Sequence, residues 1–467
     1  PMQLEGTGIE LQKMQIGRPT FSTFLAEHLP SGDKVAIDGN VLSVNESDTL
    51  KAAFGDKGIE LVTTLDLLAK IWSDRPSLPT DAIYEHPAQF VDTTAADKLA
   101  KVRNAMSEKG ANAHLISSLD DIAWLVNLRG SDVVFNPVFL SHLLITDTAA
   151  TLFVDQNKLD DTIKANLAAA GINTADYDNI IDTVADVRGT LLIDPARVSV
   201  GTLSKLPADT AIVCAMNPST LLKAIKSDAD IEHIREAMRQ DGAALCEFFS
   251  EFEAKLAKGE KVTELDVDRM LNEARNRQPH YISPSFGTIA GYKGNGAIVH
   301  YSATEDNFAT IEGDGLLLID SGAQYYNGTT DITRMASCGI GSDDEKRDVT
   351  YVLKAHIGLA NAHFPEGLPS GQIDVLARIH LWQQGLDYGH GTGHGVGYFM
   401  NVHEGPQVIS VHAPATADRV LKRGMITTNE PGLYREGKWG IRLENCVVHM
   451  PAHETEFGTF LKFDDLT

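Results

Sequence analysis

One internal echo constrains this chain more than any other feature. The stretch V-A-I-D-G-N-V-L-S (Val35 to Ser43) returns as L-L-I-D-P-A-R-V-S (Leu191 to Ser199). Some thirty residues after each, L-L-A-K-I-W-S-D (Leu67 to Asp74) returns as L-L-K-A-I-K-S-D (Leu221 to Asp228). The offsets are 156 (191 minus 35) and 154 (221 minus 67), so the same strand-then-helix order recurs at nearly one period. A shared offset is the mark of duplication, and it predicts two α/β units of one fold. The second copy has about a hundred residues of α/β pattern before Asp194, whereas the first has fewer than forty before Asp38. The first copy is therefore expected to be truncated.

Helical spacing over Thr94 to Glu108 (Leu99, Val102, Met106) and short apolar runs at His114–Ile116, Phe139–Ile145 and Thr151–Val154 fill out the second copy. Pro76, Pro79 and Pro87 make Trp72 to Pro87 a candidate linker, because each removes a backbone donor. The texture changes near Ser227. Ile231, Ile234, Met238, Leu245, Phe248, Phe249 and Phe252 trace one face of a long helix. Thr263-x-x-Asp266 and Ser342-x-x-Glu345 read as capping boxes opening two more helices. A fourth helix is expected over Ser370 to Gln384, and strands at Leu316–Ile319, Asp331–Met335, Met425–Thr428 and Ile441–Val448. Helices mixed with antiparallel-type strands predict an α+β unit. The expected division is 1–88, a partial α/β domain; 89–226, a second α/β domain of the same fold; and 227–467, an α+β domain.

The charge balance bears on partners. With 64 acidic against 40 basic residues the chain carries −24, a surface that repels phosphate backbones and anionic lipid, so nucleic acid and membranes are not expected partners. Apolar runs all stop short of the roughly 18 residues that span a bilayer. The N-terminal Pro-Met-Gln-Leu-Glu has neither a basic nor an apolar leader pattern. Cys214, Cys246, Cys338 and Cys446 lie far apart without C-x-x-C spacing, which suits a reducing compartment and a cytoplasmic location better than a disulfide framework.

Nine of the 16 histidines fall between His280 and His412, which directs attention to the third unit. There, L-L-L-I-D-S-G-A-Q-Y-Y-N-G-T-T-D-I-T-R places Asp320 and Asp331 at the rims of two adjacent strands. H-G-T-G-H-G-V-G holds His390 and His394 in a glycine-rich loop with room beside it for a ligand. T-T-N-E-P-G-L-Y ends a strand on Glu430, and G-I-R-L-E-N alternates Arg442 and Glu444 on one face of a strand. Singly, each has an ordinary explanation: an Asp at a strand end forms turns, and a Glu before Pro-Gly is a solvated turn residue. Together, four acids and one imidazole make a hard donor set for two divalent ions, with Mn²⁺, Mg²⁺, Co²⁺, Fe²⁺ and Zn²⁺ all open.

These segments closely resemble the pita-bread metallopeptidases, and within them the aminopeptidase P (Xaa-Pro aminopeptidase) family, most like its cytosolic three-domain branch. D-D-I-A-W-L-V-N-L-R-G-S-D (Asp120 to Asp132), N-G-A-I-V-H-Y (Asn295 to Tyr301) and N-V-H-E-G-P (Asn401 to Pro406) match further signature stretches. The resemblance implies a pita-bread fold for the third unit and a metal set of Asp320, Asp331, His394, Glu430 and Glu444. Asp320 would hold one ion, Asp331 and Glu444 would bridge two, and His394 with Glu430 would complete the other. Two divalent ions are implied, Mn²⁺ foremost, with Co²⁺ or Zn²⁺ as alternatives. The implied reaction is removal of the N-terminal residue from peptides with proline second, by a metal-bridging hydroxide attacking the Xaa-Pro carbonyl. Glu430 would serve as general base, His300, His390 and His403 as the active-site histidines that are not ligands, and Arg442 and Tyr434 as supports orienting a ligand carboxylate. Arg129, in N-L-R-G-S-D, is expected to reach substrate from the second domain, with a surface ion pair as the alternative. The family's first domain begins upstream of Pro1 and its three-domain branch continues past Thr467, so a homodimer is expected only if that extension is dispensable. Prolidase, which splits Xaa-Pro dipeptides, uses the same ligands; the long N-terminal match favours aminopeptidase P. A catalytically inactive peptide-binding module on this fold would be expected to have lost ligands, and all five are present.

Overall fold

The computed structural model describes residue 4, residues 6–12 and residues 20–467. In the first unit, α1 (Phe21–His28) and α2 (Val44–Gly55) pack beside β1 (Lys34–Ala36) and β2 (Glu60–Val62), which pair in parallel. Ser43 starts α2 by accepting the Glu46 N–H at 3.1 Å, satisfying a donor the helix leaves free. Leu50 and Phe54, one turn apart, bury against Leu42 and Ile59 to form a small core.

The second unit opens with β3 (Tyr84–Glu85), then α3 (Ala95–Glu108), β4 (Ala113–Ile116), α4 (Leu119–Val126) and β5 (Leu128–Arg129). There follow β6 (His142–Thr146), β7 (Ala150–Phe153), α5 (Asp161–Ala169), β8 (Ile172–Ala175), α6 (Ile180–Thr183), β9 (Thr190–Ile193), β10 (Ala211–Cys214) and α7 (Pro218–Ala224). Six of these strands make one mixed sheet in the order β10, β9, β4, β6, β7, β8. Thr94 caps α3, whose Leu99, Val102 and Met106 bury one stripe, as their spacing predicts.

The echoed segments dock on each other. Asp38 and Asp194 close matching turns, accepting the N–H of Asn40 at 2.9 Å and of Ala196 at 3.0 Å. Four hydrogen bonds then cross reciprocally: Val44 N to Val198 O and Val200 N to Leu42 O, Asn45 N to Pro195 O and Gly201 N to Gly39 O. Adding 156 to one partner and subtracting it from the other turns each bond into its mate, so the copies meet about a local two-fold axis through the Ser43–Ser199 bridge. The second echo is less regular. Leu221 to Ala224 lie in α7, whereas Leu67 to Asp74 form only a single 3₁₀ turn at Leu68–Lys70. Leu68 and Ile71 are 59% and 79% exposed there, so no buried face offsets the cost of nucleating a helix.

The linker is shorter than its prolines suggest. Residues 73–82 carry no regular structure, but β3 pairs with β5, so residues 84 and 85 belong to the second unit, ahead of the expected start at residue 89. We therefore propose the boundary within residues 73–82.

The third unit begins with α8 (Asp228–Ala257) and α9 (Glu264–Asn276), opened by capping boxes at Ser227 and at Thr263, the latter as expected. It continues through β11 (Tyr281–Pro284), β12 (Ile289–Tyr292), β13 (Gly315–Ser321), β14 (Ala323–Tyr325), β15 (Gly328–Thr329) and β16 (Ile332–Cys338). After α10 (Asp343–Ala360), capped by Ser342 and Glu345, come β17 (His363–Pro365), α11 (Val375–Trp382), β18 (Gly393–Gly395), β19 (Glu404–Ile409) and β20 (Ile426–Asn429). The chain ends in β21 (Gly432–Arg435), β22 (Trp439–Arg442), β23 (Asn445–Thr455) and β24 (Gly458–Asp465). A three-stranded antiparallel sheet β12-β13-β16 and a six-stranded sheet β17-β24-β23-β20-β18-β19 carry the chemistry-bearing strands between them.

The expected strand Ile441–Val448 is interrupted. Leu443 N–H turns to Pro431 O and Glu444 N–H to Thr333 O, so the backbone leaves one ladder before joining the next. Arg442 thus ends β22 and Glu444 lies in the break, rather than both sitting on one strand. No helix among the described residues is long and apolar enough to cross a membrane.

Candidate metal centre

Two antiparallel pairings bring the acids together. β13 and β16 pair with Asp320 opposite Thr333, and Asp331 immediately precedes β16, so both carboxylates emerge at the same end of one sheet. From the six-stranded sheet, β18 presents His394 and β20 delivers Glu430 one residue past its end. The glycines around His394 are needed for close approach. A Cβ on Gly393 would lie 2.0 Å from Thr428 O, and one on Gly395 would lie 2.0 Å from Glu404 O. Glu444 arrives from the break after β22, its carbonyl gripped by Arg334 Nη1 at 2.6 Å.

One ligand atom from each of Asp331, His394 and Glu444 falls within a 4.8 Å sphere of mutual distance. His394 Nε2 is 3.4 Å from Asp331 Oδ2 and 3.6 Å from Glu430 Oε1. Its Nδ1 lies 2.9 Å from Gly395 O, which places the proton on Nδ1 and aims the Nε2 lone pair at the carboxylates. Threonine hydroxyls orient two of the acids: Thr333 donates to Glu444 Oε2 at 2.7 Å, and Thr428 to Glu430 Oε1 at 3.1 Å. Neither threonine stood out in the sequence, although T-T-N-E placed Thr428 two residues before Glu430.

Such a gathering of acids is electrostatically unstable by itself. Burial, then the charges of Asp320 and Glu430, raise Asp331 well above the ordinary carboxylate range. Burial and the charge of Asp331 do the same to Glu444. Arg442 answers part of that charge, with Nη2 2.5 Å from Asp320 Oδ2 and Nη1 2.7 Å from the Tyr434 hydroxyl. The remaining Asp320 oxygen, Oδ1, is buried without a hydrogen-bond partner. A buried carboxylate oxygen left bare is costly unless a cation takes it. The donor set therefore fits divalent metal.

A cavity of about 460 Å³ opens beside these groups. His300, His390 and His403 line it together with all five expected ligands and Arg442. Their surroundings differ. His403 faces the His394 ring with centroids 4.2 Å apart, and burial lowers its pKa to about 4, so it is neutral near pH 7. His300 is exposed, in a turn after the 3₁₀ segment Lys293–Ala297, rather than in a strand. His390 is tied to its neighbours. Its Nδ1 meets Gly391 O at 2.7 Å and its Nε2 meets the Tyr434 hydroxyl at 2.9 Å, so both nitrogens are already engaged.

Arg129 does not line this cavity. Its buried guanidinium donates to the carbonyls of Phe399, Tyr398, Ala123 and Leu128, which makes it a tie between the second and third units. Four of its five N–H donors go to backbone carbonyls and the side chain is buried away from the cavity, so it is neither a lining residue there nor a surface ion pair. Another residue of the second unit comes closer. Phe135, in the left-handed region at φ 69°, holds its ring 3.8 Å from where a Cβ on Gly287 would stand, and Gly287 lines the cavity.

The geometry has matches among known proteins. Residues 232–450 match the model of metallopeptidase family M24, and residues 74–230 that of the creatinase/prolidase N-terminal domain. Xaa-Pro aminopeptidase 1 of Dictyostelium discoideum is 38% identical over 482 residues, covering 100% of this chain and 76% of that protein. The chain belongs to the aminopeptidase P family. Its third unit is accordingly the pita-bread domain, preceded by α/β structure of the creatinase N-terminal type. The crystal structure of X-prolyl aminopeptidase from Caenorhabditis elegans, described as a cytosolic enzyme with a di-nuclear active site, superposes with a TM-score of 0.90 at 29% identity. That match covers 97% of this chain and 75% of the other. The Xaa-Pro dipeptidase of Bacillus anthracis, 24% identical with a TM-score of 0.63, covers 80% of this chain and shares the fold. The family's architecture thus extends over essentially the whole chain, including the N-terminal portion.

Proposed function

We propose that this protein removes the N-terminal residue from peptides with proline in the second position, using two divalent ions. Asp320, Asp331, His394, Glu430 and Glu444 would hold them, with Mn²⁺ foremost and Co²⁺ or Zn²⁺ as alternatives. The observation that carries this reading is one cavity lined by five hard donors, three of which (Asp331, His394 and Glu444) lie within 4.8 Å of one another, with Asp320 Oδ1 buried and unpartnered. Its relatives' names, Xaa-Pro aminopeptidase 1 and X-prolyl aminopeptidase, support the substrate class. Bound metal supplies Lewis acidity toward the scissile carbonyl and a nucleophilic water at neutral pH.

The chain's own groups account for the rest. Asp320 would bind one ion, Asp331 and Glu444 would bridge, and His394 with Glu430 would complete the second site. Glu430 has one oxygen steadied by Thr428, leaving Oε2 to accept a proton from the attacking water. His403, being neutral, donates one N–H toward the carbonyl oxygen as negative charge develops there. His300, at the cavity rim, can reach the peptide from the solvent side. His390 holds Tyr434, which in turn holds Arg442 against Asp320.

Proline selection follows from the leaving group. The Xaa-Pro bond is a tertiary amide without an N–H, so a site that hydrogen-bonds that N–H loses its grip. Phe286, Ile289, Val299 and Val408 give the cavity an apolar wall on which a pyrrolidine ring can rest. The substrate ammonium is drawn to the carboxylates, which limits cleavage to one residue from the N-terminus.

A cytosolic setting leans on the description of the C. elegans relative. A homodimer leans on the apolar side chains Leu353 and Ile357 of α10 with Val375, Leu376, Ile379 and Trp382 of α11, all exposed on adjacent helices. Sedimentation velocity tests it, and a single-chain species at micromolar concentration would remove it.

The deciding assay strips metal with a chelator, then restores Mn²⁺, Co²⁺ or Zn²⁺ over Xaa-Pro-Xaa tripeptides and Xaa-Pro dipeptides. Tripeptide cleavage that vanishes with the metal and returns with it is expected. Turnover without metal would defeat the mechanism, and cleavage of dipeptides alone would convert the reading to prolidase.

A further inference from the structure

Behind His403 lies a buried cluster of charges that the mechanism above does not use. Lys223 Nζ is 2.9 Å from Glu404 Oε2 and 2.9 Å from Asp120 Oδ2, and Lys226 Nζ bonds the other Glu404 oxygen. The side chains of Lys223, Lys226 and Glu404 are at most 3% exposed. Asp121 adjoins them, 3.8 Å from Lys223, with its Oδ2 accepting from Ser118, Asn217 and Thr220. Asp120 and Asp121 belong to α4, Lys223 to α7 and Lys226 to the link into α8, while Glu404 opens β19. The cluster therefore joins the second unit to the strand next to the metal centre.

Adjacency in the chain says what that junction controls. Along residues 402–406 burial alternates strictly, with Val402, Glu404 and Pro406 inward and His403 and Gly405 outward. His403 lies in the bend immediately before β19, so a Glu404 held in place anchors the backbone from which the His403 side chain projects. Glu404 is also the register partner of Gly395, which brings His403 against the His394 ring. Both carboxylate oxygens of Glu404 are clamped by different lysines, which removes rotation as well as translation.

We infer that Glu404, held by Lys223 and Lys226, is a positioning residue for His403, and that the second unit sets catalytic geometry through this clamp. This rests on the reading of His403 as a group that contacts the scissile carbonyl. A charge cluster of this depth is weak grounds for stability, since well-packed apolar groups do as well. Its geometric effect is the property it can supply.

The test is a double-mutant cycle on the metal-loaded, full-length chain with an Xaa-Pro-Xaa peptide. Glu404→Gln keeps shape and loses charge; His403→Ala removes the group it is held to position. Metal content and thermal melting are measured on every variant. With metal retained, Glu404→Gln should lower kcat by about ten- to a hundredfold, as a displacement near 1 Å costs, with KM within about twofold. In the His403→Ala background the same change should cost less than about twofold, because the positioned group is gone. An equal loss in both backgrounds overturns the inference while leaving His403 in place. A fully active His403→Ala enzyme removes the role of His403 and this inference with it. Should Glu404→Gln not fold, Lys226→Met takes its place in the cycle; Lys226→Arg should then restore kcat, and failure to restore it counts against the clamp.

Discussion

Arg442 Nη2 sits 2.5 Å from Asp320 Oδ2, while Asp320 Oδ1 is buried with nothing to bond. The guanidinium thus fixes one oxygen of the carboxylate and leaves the other for a cation. Burial alone would lower the Arg442 pKa, but the charges of Asp320, Tyr434, Glu430 and Glu444 together outweigh it and hold the group well above its ordinary value. Arg442 keeps its charge at any working pH.

Arg442→Lys is therefore not a conservative change here. Lysine offers a single point charge and cannot grip Asp320 and the Tyr434 hydroxyl at once. Metal affinity is expected to fall about ten- to a hundredfold, the usual loss when a ligand's support is removed. Competition with a graded chelator series, read by metal analysis, measures it. An unchanged affinity would reduce Arg442 to a counterion.

Part of this arrangement was legible in the residues because two of the proposed ligands sit at ends of apolar runs. Asp320 closes L-L-L-I, Glu430 closes I-T-T-N, and those runs do become β13 and β20. The capping boxes at Thr263 and Ser342 were equally readable, since they depend on two side chains three residues apart. What the sequence could not show was tertiary. The break at Leu443 exists because the Leu443 N–H turns to Pro431 O and the Glu444 N–H to Thr333 O. Arg129 looked like a substrate group until its donors were found spent on Phe399 and Tyr398, 269 residues or more away. The link between His390 and Tyr434, 44 positions along the chain, was likewise invisible in the sequence. Thr333 was overlooked because a threonine in a β-strand is unremarkable until Glu444 is seen beside it.

Metal loading should release protons. In the metal-free site Asp331 and Glu444 have raised pKa values, so they hold protons to higher pH than ordinary carboxylates do, and a bound cation must displace them. About one proton per chain is expected on adding Mn²⁺ at pH 7. Calorimetry in two buffers of different ionisation enthalpy reads the number directly. Zero release would mean that the acids are already ionised and that their charge is relieved some other way.

A separate pH effect arises between the units. His86 is buried and lies 2.7 Å from Tyr326 O, and burial lowers its pKa from 6.5 to about 3. The folded state resists its protonation while the unfolded chain accepts a proton near pH 6.5. Its contribution is therefore complete above pH 6.5 and is lost as pH falls toward about 3. His86→Gln can still donate to Tyr326 O but cannot titrate. Between pH 6 and 4 the wild type should lose about 1.4 kcal/mol more per pH unit than this variant. Urea melts across that range compare the two, and parallel curves would show that His86 titrates normally.

Thr333 provides the sharpest check on the bridging role proposed for Glu444. Its hydroxyl is fully buried and donates to Glu444 Oε2 at 2.7 Å, from the residue paired directly with Asp320. Thr333→Val keeps the shape and β-branching but leaves that oxygen without its donor, a change of about 1–3 kcal/mol for a buried partner. The carboxylate is then free to rotate away from the position in which it is proposed to hold metal. Metal affinity and kcat should both drop by about tenfold or more, while Thr333→Ser, which retains the hydroxyl, should stay near wild type. If Val and Ser variants bind metal equally well, the hydroxyl does not orient Glu444, and the bridging assignment loses its structural support.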